Sequence, residues 1–375
     1  MKKRKDGRYE KVVTVNGVRK SVYGKTMREV REKSEKLRKK MEQGLKMSDT
    51  VTLDEYFEIW YERQRGTVKD ATMYGYRTRY ARLSRHAGSI KVRDFTPAVC
   101  SQIQDKLKTD SKFYKGKETG RPYSTGSINA TMQLLSMILK EAARERIILE
   151  NPLTGQRTLR MRDEEHQARD TIHAPLSDDE LASFLKYAEG SYYEHFFRFM
   201  LATGMRAGEV AALTPSDIDT DKFVVHVHRT ITRDEHNHVT LSEAPKTSAG
   251  RRDIPFTPEL ITLVNAQKEQ NRKMLPDSTS IFLFPAKSGG AARPNNVDSA
   301  MAVVLRKMSS DGISISRRTS HALRATRATR WAKAGVRPEV LRKLMGHTSI
   351  QVTYTYYVGV DNETAAQEIR KASFI

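Results

Sequence analysis

The segment from residue 321 to residue 357 reads HALRATRATRWAKAGVRPEVLRKLMGHTSIQVTYTYY. It opens with His321 and Arg324, which are three residues apart and therefore share one face of a helix. A Leu-Met-Gly sequence typical of a helix end precedes His347, and Tyr356 lies nine residues further on. Cations, imidazoles and a phenol are the groups that bind a phosphodiester and attack it. The segment therefore predicts a site for phosphoryl transfer.

The composition indicates a polyanionic partner. The chain has 375 residues, with 66 Lys and Arg against 45 Asp and Glu, so its formal net charge is +21. Such an excess is typical of proteins that bind nucleic acid. No apolar run approaches the roughly 20 residues of a membrane-spanning helix, the N-terminus lacks a signal-peptide pattern, and one cysteine, Cys100, allows no internal disulfide. We expect a cytoplasmic protein that acts on nucleic acid and has no membrane partner.

The length suggests two or three domains, and residues 1–46 form the first candidate. Two predicted strands flank the turn dipeptide Asn16-Gly17, and a helix follows from Thr26. This stretch carries 17 positive and 6 negative side chains. A sheet-plus-helix unit of this charge could place its strands in a DNA groove, or it could be a charged hairpin that packs on the next domain.

The rest of the chain divides into a helical and a mixed part. Residues 50–150 are predicted to be helical, except for a basic loop from Lys112 to Tyr123. A polar stretch at 151–174 reads as a linker. Within residues 175–375, helices alternate with a strand predicted at 223–231 and a ribbon of two strands predicted at 240–254 around a turn at Ser248-Ala-Gly250. The predicted fold class is multidomain and mainly α with small sheets: a sheet-plus-helix module, a helical domain and an α+β domain.

Further cations lie upstream in the last domain. Arg206 follows an apolar helix, and Glu209 one turn later could hold its guanidinium fork toward a phosphate. Lys246 is predicted on a hairpin turn, from which an ammonium could protonate a leaving oxygen. Taken singly, the first pair is often a purely structural ion pair and the lysine an ordinary surface residue.

Two chemical choices stay open at the level of residues. The phenols of Tyr354, Tyr356 and Tyr357 are equivalent candidates for a nucleophile, since each would need surrounding cations and a base. Metal binding is the rival role for histidines, but their spacings, including the cluster between 226 and 238, do not match a metal motif. We therefore expect no metal and no other cofactor.

With these residues in view, the chain resembles the tyrosine recombinases of the phage-integrase superfamily. Its three-part layout is most similar to integrases of conjugative transposons and temperate phages. One departure is that Tyr357-Val358-Gly359 follows the nucleophile position, where many members read Thr-His-Val. The matching elements are Ala202-Thr-Gly-Met-Arg206-Ala-Gly-Glu209, Lys246 ahead of Arg252-Asp-Ile-Pro255, His321-Ala-Leu-Arg324, and Leu344-Met-Gly-His347 with Thr353 and Tyr356.

The resemblance implies a site-specific recombinase that integrates and excises a mobile element or phage through a 3′-phosphotyrosyl intermediate. It implies double-stranded DNA sites as substrate and a homo-tetramer on paired sites, with an excision factor or a host DNA-bending protein as candidate partners. Residues 1–46 would be an arm-type DNA-binding domain, 50–150 a core-binding, SAM-like domain, and 175–375 the catalytic domain. The implied site comprises Tyr356 as nucleophile, Arg206, Lys246, His321, Arg324 and His347 as further catalytic residues, and Glu209 as support.

Two other functions share these features. A type IB topoisomerase uses similar residues to nick and reseal one duplex, although the basic N-terminal module argues against it. A DNA-binding protein of the same fold could lack the chemistry altogether.

Overall fold

The computed structural model describes residues 2–4, 6–15, 18–42, 51–114, 117–243, 250–276 and 280–357. The chain forms two compact units, Met1–Arg162 and Asp163–Ile375. Within the described ranges, no helix is both long and apolar enough to cross a membrane.

The first unit begins with a small sheet and continues with helices. The sheet has the order β1-β2-β3 and is antiparallel, with Val15 opposite Val18, so the predicted strands are confirmed while the predicted Asn16-Gly17 turn lies outside the described residues. The elements are β1 (Lys2–Lys3), β2 (Tyr9–Val15), β3 (Val18–Gly24), α1 (Met27–Glu42), α2 (Leu53–Gln64), α3 (Asp70–Ala87), α4 (Pro97–Thr109), β4 (Ser111–Tyr114), β5 (Lys117–Pro122) and α5 (Thr125–Arg144).

Four helices, α2 to α5, enclose an aromatic and aliphatic core. A capping box of Thr52 and Glu55 starts α2, because each side chain binds the other residue's backbone N–H. The rings of Phe57 and Tyr80 stack with centroids 3.5 Å apart. The predicted loop 112–123 is wrong in part: the antiparallel hairpin β4–β5 occupies it. Helices α4 and α5 hold its two ends, so the strands pair despite a composition typical of loops.

The second unit is an α+β fold. Its three-stranded sheet has the order β10-β7-β6, and β8 and β9 form a separate hairpin. The mainly helical prediction with small sheets is confirmed. The elements are α6 (Asp163–His173), α7 (Asp178–Ala188), α8 (Glu194–Thr203), α9 (Ala207–Val210), β6 (Ile218–Asp219), β7 (Val224–Val227), β8 (Thr230–Arg233), β9 (Val239–Ser242), β10 (Arg252–Pro255), α10 (Glu259–Met274), α11 (Pro294–Ser310), α12 (Ser320–Lys333), α13 (Pro338–Met345) and α14 (Ile350–Tyr354).

Three local differences from the sequence prediction affect this unit. The ribbon predicted for 240–254 is wrong, because β9 pairs with β8 whereas β10 pairs with β7 in the other sheet. The single strand predicted for 223–231 is broken between β7 and β8, because Arg229 turns aside to donate to Thr214 and Asp217. The stretch 151–174, predicted as a linker, contains α6, whose end contacts α12 through the bond from Thr319 N–H to the Ile172 carbonyl, 3.3 Å. Because α6 is polar, its sequence has no apolar periodicity that would predict a helix.

Helix α8 is the centre of the second unit. Phe196, Phe197, Phe199 and Met200 on it are fully buried, and it packs against both α10 and α12. Burial of this many large apolar side chains stabilises the unit by several kcal/mol, at about 25 cal/mol per Å² of apolar surface. Because α8 ends beside α12 and α13, its C-terminus is held rigidly where the candidate site lies.

Candidate active site

The first arginine lies where α8 ends. Gly204 terminates the helix in the left-handed conformation, with φ 67°, and Arg206 then begins α9. A Cβ atom at Gly204 would lie 3.1 Å from the Met345 sulfur and 3.1 Å from the Trp331 ring. Both the backbone angle and this close approach favour glycine. The turn thereby brings Arg206 against α12 and α13.

Glu209 is a buried carboxylate that binds two arginines. Arg206 donates to it from its backbone N–H and from Nη1, both at 2.9 Å. Arg252, the first residue of β10, donates from Nη1 and Nη2 at 3.1 and 2.8 Å. The Glu209 and Arg252 side chains are 5% and 1% exposed, whereas Arg206 is 38% exposed. Glu209 therefore fixes one buried arginine and one that solvent can reach.

The third arginine, Arg324, comes from α12. It is buried, with 3% exposure. Its Nη1 donates to the Gly204 carbonyl at 2.8 Å, and its Nη2 donates to the Met345 carbonyl. Each of these nitrogens carries a second N–H that the two bonds do not use. Arg324 thus joins α8, α12 and α13 and keeps donors for a further acceptor.

Three successive carbonyl groups at the end of α13 accept hydrogen bonds from these arginines. Such terminal carbonyls have no partner inside the helix and carry its negative dipole end, so guanidinium groups stabilise them. All three arginines are therefore attached to one helix end. The pairs are Arg252 Nε to Leu344 O at 2.6 Å, Arg324 Nη2 to Met345 O, and Arg206 Nη2 to Gly346 O at 3.3 Å.

His347 follows this helix end directly. Gly346 is left-handed, with φ 63°, and the N–H groups of Gly346 and His347 donate to the carbonyls of Lys343 and Arg342 at 3.2 and 3.1 Å. This is a Schellman motif, which fixes the backbone that presents the imidazole. The His347 side chain is buried, and its Nδ1 lies 3.0 Å from the Oγ1 of Thr353. Nε2 is the nitrogen left for other contacts.

The three tyrosines occupy different environments. The Tyr356 ring is nearly parallel to that of His347, at 15°, with centroids 5.9 Å apart. The Tyr357 hydroxyl instead donates to the backbone carbonyl of Val336. Tyr354 is 48% exposed. Of the three, Tyr356 is the one that stacks on the site histidine.

His321 lies at the start of α12, one turn before Arg324. Its side chain is exposed, and its ring centroid is 5.4 Å from that of His173 on α6. Although the side chain is exposed, partial loss of solvent around the ring lowers the pKa of His321, and the neighbouring His173 ring and Arg324 guanidinium act in the same direction. A neutral imidazole is therefore favoured at this position near pH 7.

The electrostatics of the cluster follow from its burial and its three guanidinium groups. Burial alone would raise the pKa of Glu209, but Arg252, Arg324 and Arg206 outweigh it and lower the pKa to about 2. Burial and the neighbouring Arg206 lower the pKa of Arg324 to about 9, so it stays charged at neutral pH. Burial, with Arg324 and Arg206, lowers the pKa of His347 to about 4. The site is cationic, and its buried histidine is neutral.

Lys246 and a group of histidines are the other residues singled out in the sequence. Lys246 falls outside the described residues. The predicted histidine cluster is paired with carboxylates: His226 Nδ1 lies 2.8 Å from Asp253, and His238 Nδ1 lies 3.0 Å from Asp234. Throughout the described ranges, no three or more His, Cys, Asp or Glu side chains are grouped to hold a metal ion.

The sequence has measurable similarity to one protein family. Residues 175–363 match the phage integrase family, and residues 52–108 match the phage integrase N-terminal SAM-like domain. The first match covers half of the chain. The chain belongs to the phage integrase family. It is a tyrosine recombinase, an enzyme that breaks and rejoins DNA, and the identification made from the sequence motifs is confirmed.

Curated relatives and solved structures agree with this assignment. A XerC-like tyrosine recombinase of Caldanaerobacter subterraneus is 26% identical over 355 residues, which cover 92% of this chain and 88% of the relative. The transposase of transposon Tn916 from Enterococcus faecalis is 25% identical, over 71% and 67% of the two chains. The fold resembles that of the Tn1549 transposon integrase in complex with circular intermediate DNA, with a TM-score of 0.69 at 24% identity, covering 86% and 100%.

Two further side chains lie at the site of the recombinase, Arg252 and His173, and neither is among the site residues predicted from the sequence. Arg252 has one visible signal. Strand β10 alternates buried and exposed positions, which places Arg252 on the same inner face as Ile254. An arginine on an apolar face of a strand needs a buried carboxylate, and Glu209 was available as the candidate. His173 lies in a stretch without periodicity, so nothing in the sequence indicated its position.

The lowered pKa of His347 predicts how the recombinase responds to acid. An unfolded chain binds a proton at this histidine below about pH 6.5, whereas the folded chain does so only near pH 4. Folding stability should therefore fall as pH decreases through this window, by at most about 1.4 kcal/mol per pH unit. We expect Tm to fall between pH 7 and pH 5 by more in the wild type than in His347→Gln.

Comparing the wild type with His347→Gln separates the contribution of His347 from those of the other histidines. The range from pH 7 to pH 5 lies above the pH at which Glu209 stops contributing to folding stability. That loss occurs between pH 4.5 and about 2. Equal losses of Tm in the two proteins would show that His347 is not neutralised by its surroundings.

Proposed function

We propose that Tyr356 attacks a DNA phosphate that Arg206 and Arg324 hold, and that this reaction integrates and excises a mobile element. The observation that carries the proposal is the convergence on one helix end. Separate parts of the chain contribute three arginines and a neutral histidine there, and the Tyr356 ring stacks on that histidine. A phenol has a high intrinsic pKa and becomes an effective nucleophile only in such a setting.

The proposed reaction replaces one phosphoester bond with another, so their number does not change. The Tyr356 oxygen forms a bond to phosphorus as the bond from phosphorus to the DNA 5′-oxygen breaks, which leaves a 3′-phosphotyrosine and a 5′-hydroxyl. The phenol proton passes to a base, and the neutral rings of His347 and His321 are the candidates. Lys246, which lies outside the described residues, is proposed to protonate the leaving 5′-oxygen. Attack by another strand's 5′-hydroxyl reverses these steps.

The charge of the cluster suits this transition state. Arg206, Arg252 and Arg324 carry three positive charges, and Glu209 neutralises one of them. A phosphodiester has one negative charge, and its five-coordinate transition state has two. The two remaining positive charges of the cluster therefore match the transition state better than the ground state, which is the condition for catalysis.

The first unit offers a surface for the DNA backbone. Two neighbouring grooves beside α3 and α5 share Arg82: one is also lined by Lys112, and the other by Arg79 and the small Gly126. The guanidinium of Arg82 lies 4.8 Å from the centroid of Tyr123, which orders it. Basic side chains beside small residues let a phosphate backbone approach closely. We assign the binding of core-site DNA to residues 50–150 and catalysis to residues 175–375. Residues 151–174 connect these two parts of the chain.

Residues 1–46 are proposed to bind separate, arm-type DNA sites. Their surplus of positive charge would neutralise several phosphates. Removing them should therefore weaken binding to arm-site DNA and make the dependence of its Kd on salt concentration less steep, because fewer counterions are released. Measuring Kd at several salt concentrations for the full chain and the shortened chain tests this assignment. An unchanged slope would exclude the module from the DNA interface.

The assembly is proposed to be a tetramer on two paired sites in the cytoplasm. A lambda integrase tetramer has been solved bound to a Holliday junction, and its fold matches this chain with a TM-score of 0.57. Four protomers would supply one nucleophile for each of the four strands exchanged. An excision factor and a host DNA-bending protein remain candidate partners.

The experiment that tests the proposed function measures exchange between two duplexes. Two DNA fragments carrying the recombination sites of the element, each with a different end label, are incubated with the full chain without metal or nucleotide. We expect products that join one label to the other. A protein that relaxes a supercoiled circle but yields no joined product would be a topoisomerase, and a protein that only binds would lack the proposed chemistry.

A further inference from the structure

Tyr357, the residue after the proposed nucleophile, has a fixed partner of its own. Its hydroxyl donates to the carbonyl of Val336, in the loop between α12 and α13. The N–H groups of Gly335 and Val336 donate to the carbonyls of Ala332 and Trp331, both at 3.0 Å, and Gly335 is left-handed with φ 78°. This is a second Schellman motif, so the acceptor carbonyl belongs to a rigid helix end.

The turn that carries Tyr356 is a compact unit. The N–H of Tyr356 donates to the Thr353 carbonyl at 3.1 Å, and the N–H of Tyr357 donates to the Tyr354 carbonyl at 2.9 Å. Thr353 is fully buried, with its hydroxyl 3.0 Å from His347. Side-chain bonds therefore tie the turn to the rest of the unit on both sides of Tyr356, through Thr353 before it and Tyr357 after it.

Both tyrosine rings also contact a small apolar cluster. Its buried members come from α12 and α13 of the same chain, and Tyr356 and Tyr357 pack at its edge. Moving the turn away would expose this apolar surface and would at the same time break the hydrogen bond from Tyr357 to Val336. The buried members are Ala328, Ala332, Leu341 and Met345.

We propose that Tyr357 is a positioning residue, a latch whose bond to Val336 keeps Tyr356 in the active site of its own protomer. The inference rests on the proposed function, because it takes Tyr356 as the nucleophile. With the latch closed, the phenol stays beside His347 and Arg324 before DNA is bound. With the latch open, the turn can leave this position, and the phenol becomes available to a neighbouring protomer.

The test removes one oxygen atom. Tyr357→Phe keeps the ring in the apolar cluster and deletes only the hydroxyl. A matched control is Tyr192→Phe, because the half-buried Tyr192 also donates to a backbone carbonyl, that of Pro285 at 3.2 Å. Formation of the covalent protein–DNA adduct is measured in single turnover on a nicked duplex that carries the recombination site.

We expect Tyr357→Phe to slow adduct formation roughly three- to tenfold, the effect of one hydrogen bond, with Kd for DNA and Tm equal to those of Tyr192→Phe. A rate within twofold of the control would overturn the latch. So would a slower rate accompanied by a lower Tm or weaker DNA binding, since the bond would then serve only the fold.

A mixing experiment separates a latch from a general defect. Protomers with Tyr356→Phe keep the arginines but lack the phenol, and protomers with Arg206→Ala keep the phenol and the helix contacts of Arg324 but lack a phosphate contact. Adding Tyr357→Phe to the second protein should increase adduct formation in the mixture by a similar factor, although it slows the otherwise wild-type enzyme. No increase, or a decrease, would overturn the proposal.

The same experiment distinguishes failure of Tyr356 as the nucleophile from failure of Tyr357 as the latch. Tyr356→Phe on its own should form no adduct in either background. If an adduct persists there, the proposed nucleophile is wrong. If the adduct disappears while Tyr357→Phe behaves like the control, the nucleophile stands and only the latch is wrong.

Discussion

Tyr356→Phe should bind its recombination site with an unchanged Kd and form no covalent adduct on a nicked suicide duplex, a loss of at least about 10⁴-fold. The substitution removes only the attacking oxygen. The ring can still stack on His347, and the hydrogen bonds described for Arg206 and Arg324 go to Glu209 and to backbone carbonyls. The substitution should therefore abolish adduct formation and leave DNA binding unchanged. The adduct is measured as a band of retarded mobility under denaturing conditions.

Tyr354→Phe is the control for this result. Tyr354 is two residues away and 48% exposed, so its hydroxyl can be removed without disturbing the site. We expect adduct formation within about twofold of the wild type. A persistent adduct in Tyr356→Phe, or its loss in Tyr354→Phe, would contradict the assignment of the nucleophile.

Arg324→Lys should reduce the rate of adduct formation by about 10²- to 10³-fold, even though the positive charge is kept. Arg324 bonds to the carbonyls of Gly204 and Met345 and still has unused N–H groups for a phosphate oxygen. A lysine ammonium cannot span two carbonyls and a phosphate from one planar group. The loss should appear in the rate at saturating DNA, with a smaller change in Kd.

Arg330→Lys is the matched control on the same helix. Arg330 forms its ion pair with Asp178, on the α7 side of α12, and half of its side chain is exposed. An exposed ion pair contributes little to stability, so this variant should keep the wild-type rate and Tm. If Arg324→Lys were equally active, the fork geometry of Arg324 would not contribute to catalysis.

Spacing along the chain was sufficient to predict most of the groups that meet at the site. The three-residue interval between His321 and Arg324 fixes a shared helix face, and Gly346 marks the helix end that presents His347. Arg206 and Glu209 are likewise one turn apart. These are local geometries, which a sequence states directly. The register that favours Tyr356 came from the family resemblance, because the residues alone left three tyrosines equivalent.

The contacts between distant segments could not be predicted in the same way. Arg252 contacts Glu209 and Leu344, which are 43 and 92 residues away, and only the folded chain brings them together. The carbonyls of α13 are backbone groups, so no side-chain pattern marks them as arginine acceptors. The break between β7 and β8 depends on Arg229 reaching Asp217 across a turn. Helix α6 is polar, so no apolar periodicity revealed it.

The position of the covalent bond shows directly which tyrosine is the nucleophile. Wild-type protein trapped on a nicked suicide duplex is digested with trypsin and nuclease, and the peptide from 344 to 370, which contains all three tyrosines, is fragmented in a mass spectrometer. We expect the remaining nucleotide mass on Tyr356. A nucleotide on Tyr357 or Tyr354, or no modified peptide despite strand exchange, would contradict it.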